Sequence, residues 1–196
     1  EVGITDGSTD GTRLLADLVP GAAGSNPTWF WSDGKGRLLF QATSADGASA
    51  LWASDGTTAG TIKVADVEAA SAVHVMPSSM VAFVFEGLSQ NSLSDYAQFA
   101  QLGDGRAVFA ARTGSGSFDL WASDFTTNGT MRIADLPESS LAHQQLLPRS
   151  FTSLPDGRVL FITAPAAPYD LIGNPEDLDF WYSSQGQLWI TDGTEA

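Results

Sequence analysis

The chain has 196 residues, 43% of them apolar, and sets 23 Asp plus Glu against 9 Lys plus Arg, for a formal charge of -14. That is enough apolar material for a buried core, while the acidic excess, with no basic cluster, excludes nucleic acid as an expected partner. Cysteine is absent, which removes disulfides and thiolate metal sites and leaves the redox compartment open; no apolar run reaches the roughly 18 to 20 residues that cross a bilayer, so no transmembrane segment is expected.

Val2-Gly3-Ile4-Thr5-Asp6-Gly7 opens the chain, and the string returns three times. The later copies are Leu51-Trp52-Ala53-Ser54-Asp55-Gly56-Thr57, Leu120-Trp121-Ala122-Ser123-Asp124-Phe125-Thr126 and Leu188-Trp189-Ile190-Thr191-Asp192-Gly193-Thr194. The first three run on through Gly11-Thr12, Gly60-Thr61 and Gly129-Thr130 into apolar stretches ending at Asp17, Asp66 and Asp135. A second element precedes each of the last three: Gly36-Arg37-Leu38-Leu39-Phe40, Gly105-Arg106-Ala107-Val108-Phe109 and Gly157-Arg158-Val159-Leu160-Phe161. Before each of these lies a short aromatic or apolar run, Trp29-Phe30-Trp31, Phe99 to Leu102 and Phe151 to Leu154.

Each unit therefore reads as four short strands, here A to D, with tight Asp- and Gly-rich turns joining A to B and C to D. Four short antiparallel strands in tandem repeat predict β-propeller blades. The expected organisation is a partial blade over 1–18, blades over 27–66, 99–135 and 149–196, the last without its fourth strand, and insertions over 67–98 and 164–186. About three blades is fewer than a closed ring usually holds, so the fold class expected is all-β, a propeller segment completed by further blades or by neighbouring chains.

The recurring Leu-Trp-x-Ser-Asp-Gly-Thr-x-x-Gly-Thr pattern resembles the bacterial ELWxxDGT repeat family over essentially the whole chain. The resemblance implies a β-propeller of a secreted or cell-surface protein, with a periplasmic location as a variant. The leading Glu of the motif is Ala50, Asp119 or Gln187 in the later copies, Gly3 replaces the first Trp, and Phe125 replaces a turn Gly. Phe125 puts the geometry of its own turn in question.

In an antiparallel blade the B-to-C and D-to-A connections emerge at one end, and both insertions belong to these connections. Long loops on a rigid scaffold are where binding usually resides, so the candidate functional surface is the insertion-bearing end. There, 67–98 is unusually apolar, and Met76, Met80, Phe83 and Phe85 with His74 and His143 form the expected contact set for another protein chain or for the rest of the propeller. Folding back to cap the neighbouring strands is the alternative for the apolar residues, and repeat inheritance is the alternative for the two histidines. Asp170, Asn174, Glu176, Asp177 and Asp179 put five oxygen-bearing side chains within one loop, a composition calcium favours, although the spacing is not that of an EF-hand. A solvated acidic loop is the competing reading.

Pairing with Asp33, Asp104 and Asp156 is the simpler reading of Arg37, Arg106 and Arg158, against a basic ring. Packing between adjacent blades is the reading for Trp52, Trp121 and Trp189, against a carbohydrate platform. The motifs of serine hydrolases, zinc proteases and nucleotide-binding proteins are not found. The expected function is a noncatalytic structural or protein-interaction scaffold with no catalytic residue and no cofactor. A calcium-dependent carbohydrate-binding adhesin, or a fragment of a propeller hydrolase or lyase, stands as the alternative.

Overall fold

The chain is all-β in a computed structural model that describes residues 1–69, 99–113, 117–136, 146–165 and 187–194. Among the described residues, fourteen strands form four antiparallel sheets, numbered I to IV in chain order. Sheet I pairs β1 (Val2–Ile4) with β2 (Arg13–Ala16). Sheet II is a meander of β3 (Thr28–Ser32), β4 (Leu38–Thr43), β5 (Ser49–Ser54) and β6 (Ile62–Ala65). Sheet III runs β8 (Phe99–Gln101), β9 (Ala107–Arg112), β10 (Asp119–Ser123) and β11 (Met131–Ala134), and β7 (Glu68–Ala69) joins the free edge of β9. Sheet IV orders β12 (Leu146–Ser153), β13 (Val159–Pro165) and β14 (Gln187–Thr191).

Alternation along the B and C strands sends successive side chains to opposite faces, and three apolar clusters occupy the gaps between consecutive sheets. Phe40 and Ala42 pack with Val2 and Leu15 between sheets I and II. Leu39, Leu51 and Ala53 face the other way and meet Phe99, Phe109 and Phe125 between II and III. Val108, Leu120 and Ala122 meet Phe151, Val159 and Phe161 between III and IV. Each inner sheet is therefore covered on both faces, which is why its central strands read as nearly continuous apolar runs.

The aromatic positions coincide in every unit. Register places Phe40 opposite Trp52, Phe109 opposite Trp121 and Phe161 opposite Trp189, and a Phe from the A strand lies about 5 Å from each central Phe, stacked in sheets II and IV and tilted in sheet III. Trp52, Trp121 and Trp189 lie half-buried against the three inter-sheet clusters, so these indoles are packing residues. Their N–H groups differ. Trp189 Nε1 donates to Thr163 Oγ1 at 3.0 Å, whereas the buried Nε1 of Trp52 and of Trp121 finds no hydrogen-bond partner among the described residues. The residue two beyond the central Phe is Thr163 in sheet IV but Ala42 and Ala111 in sheets II and III.

Some boundaries differ from those read in the sequence, for physical reasons. Residues 67 to 69 are structured rather than part of an insertion. Val67 is buried, its carbonyl accepts from Gln41 Nε2 at 3.1 Å, and β7 fills the half of the β9 edge that the three-residue β8 leaves open. Strand β12 begins before 149, and β13 continues to Pro165. The A strands bend through bulges at Thr28/Trp31 and Arg149/Thr152, where Trp29 and Ser150 take positive φ, a conformation that residue type does not announce.

Candidate functional site

The two ends of the sheets have different characters. At the turn end, every C-to-D turn is locked by its own motif. Asp55 Oδ1 accepts from Thr57 N and Thr57 Oγ1 at 2.9 and 2.7 Å, Gly60 N donates to Thr57 Oγ1, and Thr61 Oγ1 donates to Thr57 O. Ser54 Oγ caps Gly56 N and meets Thr61 Oγ1. The same set recurs around Asp6 and Asp124, and the described part of it recurs at Asp192.

The motif glycine is required by contact. A Cβ on Gly11, Gly60 or Gly129 would lie 2.0 Å from the carboxylate of Asp6, Asp55 or Asp124. Hydroxyl and N–H donation by Thr57 holds the Asp55 carboxyl below the usual carboxylate range, and Ser8 and Thr194 do the same for Asp6 and Asp192. Partial burial acts in the opposite direction but is outweighed. The Asp-Gly-Thr pattern is thus consumed by turn construction.

Phe125, which left the geometry of its own turn open in the sequence, keeps the turn of the other copies. Its φ of 75 matches the 84 of Gly56 and the 81 of Gly193. A left-handed Phe costs roughly 1–2 kcal/mol, and its surroundings offset that. The ring is buried between sheets II and III, stacks on Trp31 at 6.0 Å and lies under the Arg37 guanidinium at 4.0 Å.

The repeated arginines pair as read from the sequence, Arg37 with Asp33, Arg106 with Asp104 and Arg158 with Asp156. Two of them also do something the sequence did not announce. Arg37 Nη1 donates to Asp124 O at 3.2 Å and Arg106 Nη1 to Gly193 O at 2.9 Å, so each reaches forward to the C-to-D turn of the next sheet. Recurrence of Arg just after the A-to-B turn was the available signal. Beside them, the A-to-B turns of sheets III and IV touch through Gly103 N donating to Gly157 O at 2.8 Å. Lys35, Gln101, Ser153 and backbone from these turns line an open groove of about 290 Å³. Ser153 Oγ is already committed to Gln101, donating to its carbonyl and accepting from its N–H.

The opposite end is where the two long non-repeating segments depart. The chain leaves β7 beside the Arg112 end of β9 and returns at Phe99, and it leaves β13 at Pro165 and re-enters at Gln187, opposite Thr163. This is the same end as the short connection from Thr43 to Ser49. The residues singled out there, His74, Met76, Met80, Phe83, Phe85, His143, Asp170, Asn174, Glu176, Asp177 and Asp179, all lie outside the described residues. Among the described residues, no group of three His, Asp or Glu converges as a metal site would need, and no helix is long and apolar enough to cross a membrane.

No protein-family model matches the chain, and no curated protein or solved structure is similar to it.

Proposed function

We propose that the chain is a noncatalytic scaffold built as part of a β-propeller, in a secreted or cell-surface protein of the ELWxxDGT repeat type, and that it works by contacting other protein chains. The carrying observation is the division of labour between its two ends. In the copies at Leu51 and Leu120 the motif side chains, with the Arg that precedes each, are spent on turns, on Arg–Asp pairs or on packing between sheets, while the sequence that does not repeat leaves from the other end. Sheets that stack in chain order, with both faces of the inner sheets covered, are what tandem blades require.

Thermal melting in chelator and in millimolar calcium tests this reading. A scaffold of this kind melts at the same midpoint in both. A midpoint that rises with calcium and returns with chelator would replace it by the calcium-dependent carbohydrate-binding reading of the acidic loop, since a ligand that binds only the folded chain stabilises it by mass action.

A further inference from the structure

The locked C-to-D turn of sheet III contains the one asparagine of the chain that a glycine follows. Asparagine stands at 26, 91, 128 and 174, and the residue after it is Pro, Ser, Gly and Pro in turn. Glycine has no Cβ to hinder its backbone nitrogen, so at Asn128-Gly129 that nitrogen can most readily reach the carboxamide carbon of the preceding side chain. Asn128 is exposed, and its carboxamide makes no hydrogen bond among the described residues.

The turn itself imposes the glycine, because a Cβ on Gly129 would lie 2.0 Å from Asp124 Cγ. The residue before it is not imposed. Asp10, Ala59 and Asn128 hold the same place in sheets I, II and III, and in each turn the glycine N–H donates to the hydroxyl of Ser8, Thr57 or Thr126.

That hydroxyl restrains the reacting nitrogen. Gly129 N donates to Thr126 Oγ1 at 3.0 Å, and Thr126 Oγ1 donates in turn to Asp124 Oδ1 at 2.6 Å. Gly129 O accepts from Asp124 N at 3.2 Å, so the glycine is held on both sides of its Cα. Ring closure needs the nitrogen without its proton and turned onto Asn128 Cγ, and the bond to Thr126 must break first. Only a local opening of the turn permits this.

We propose that Asn128 is a site of spontaneous deamidation, which the Thr126 hydroxyl holds shut in the folded chain. Gly129 N gives up its proton and bonds Asn128 Cγ, the Cγ–Nδ2 bond breaks, and the amide nitrogen leaves with that proton as ammonia. Water, the only co-reactant, then opens the cyclic imide at either carbonyl and leaves aspartate or isoaspartate at 128, with a new carboxylate. Aspartate is what sheet I carries at this place, with its lock intact. Isoaspartate adds a methylene to the backbone beside a glycine that has no room for a methyl group, and so undoes the lock. The site lies at the turn end and is independent of what the insertion-bearing end contacts.

Peptide mapping by mass spectrometry, following amide-to-acid conversion at Asn128 in mildly alkaline buffer, tests the site. The folded native chain is expected to convert more slowly than the same chain unfolded in urea. Thr126→Val keeps the side chain's shape without its hydroxyl and should convert roughly fivefold faster, the factor that one lost hydrogen bond of ordinary strength represents. Thr126→Ser should convert at the native rate, since Ser8 makes the same bonds in sheet I. Thr57→Val removes the matching hydroxyl from sheet II, where Ala59 precedes the glycine, and should leave the rate at Asn128 unchanged; it separates loss of the local lock from general loss of stability.

A folded chain that converts as fast as the unfolded one, a Thr126→Val rate equal to the native rate, or the same acceleration by Thr57→Val would overturn the proposal.

Discussion

Replacing Phe125 separates packing from backbone strain. The ring is buried, stacks on Trp31 and sits under Arg37, so truncation to Ala should cost about 3–5 kcal/mol. Ala must still adopt the positive φ that Phe125 holds, and it keeps the roughly 1–2 kcal/mol penalty of that conformation. Gly loses the same ring but sheds the penalty, at a cost of about 0.5–1 kcal/mol for its freer unfolded chain. Phe125→Gly should therefore be more stable than Phe125→Ala by about 0.5–1 kcal/mol, the reverse of the usual order. Urea unfolding followed by tryptophan fluorescence measures both midpoints. Equal stabilities, an Ala variant above the Gly variant, or either within about 1 kcal/mol of the native chain would refute the account of this turn.

The remaining predictions concern the lock, the indole and the charges. Gly60→Ala should lower the urea midpoint because its methyl occupies the Asp55 carboxylate's place; adding it to Asp55→Ala should cause no further loss, and an additive cycle would show that the two do not collide. Thr163→Val leaves the Trp189 N–H without its partner and should cost about 1–2 kcal/mol, read from the same unfolding curves. Arg37→Ala should lower the melting temperature, since Asp33 is buried and depends on that guanidinium, whereas Arg158→Ala should leave it unchanged because its pair is exposed. Asp6, Asp33, Asp55, Asp156 and Asp192 all titrate below their ordinary range in the folded chain. The unfolded chain thus takes up protons first as pH falls, and the stability these groups supply, complete at neutral pH, should fade below about pH 4 to 5. Melting temperatures flat from pH 7 to 3 would contradict this.

The parts of the fold legible in the sequence were those that repeat. Strand-forming runs recurred with their turns, so the B and C strands, the Asp-Gly turns, the Arg–Asp pairs and the packing role of Trp52, Trp121 and Trp189 could be read from comparison within the chain. Features set by tertiary context were not legible. Strand β7 forms only because β8 is too short to pair all of β9. Trp29 and Ser150 take positive φ at bulges that neither residue type signals. Phe125 tolerates a glycine conformation because Arg37 and Trp31, far away in sequence, enclose its ring. Apart from His74 and His143, which stand at matching offsets from Asp66 and Asp135, the candidate site residues belong to segments without a repeat, where one copy offers nothing to align and no period constrains position.

Face-to-face packing of consecutive sheets through aromatic side chains carries the whole account, and ring-to-ring nuclear Overhauser contacts test it most directly. Trp31 of sheet II lies 5.9 Å from Phe99 and 6.0 Å from Phe125 of sheet III, centroid to centroid. Cross-peaks from the Trp31 indole to both phenylalanine rings are predicted, alongside those within a sheet from Phe161 to Trp189. Within-sheet peaks of normal strength with no peak from Trp31 to either ring would contradict it.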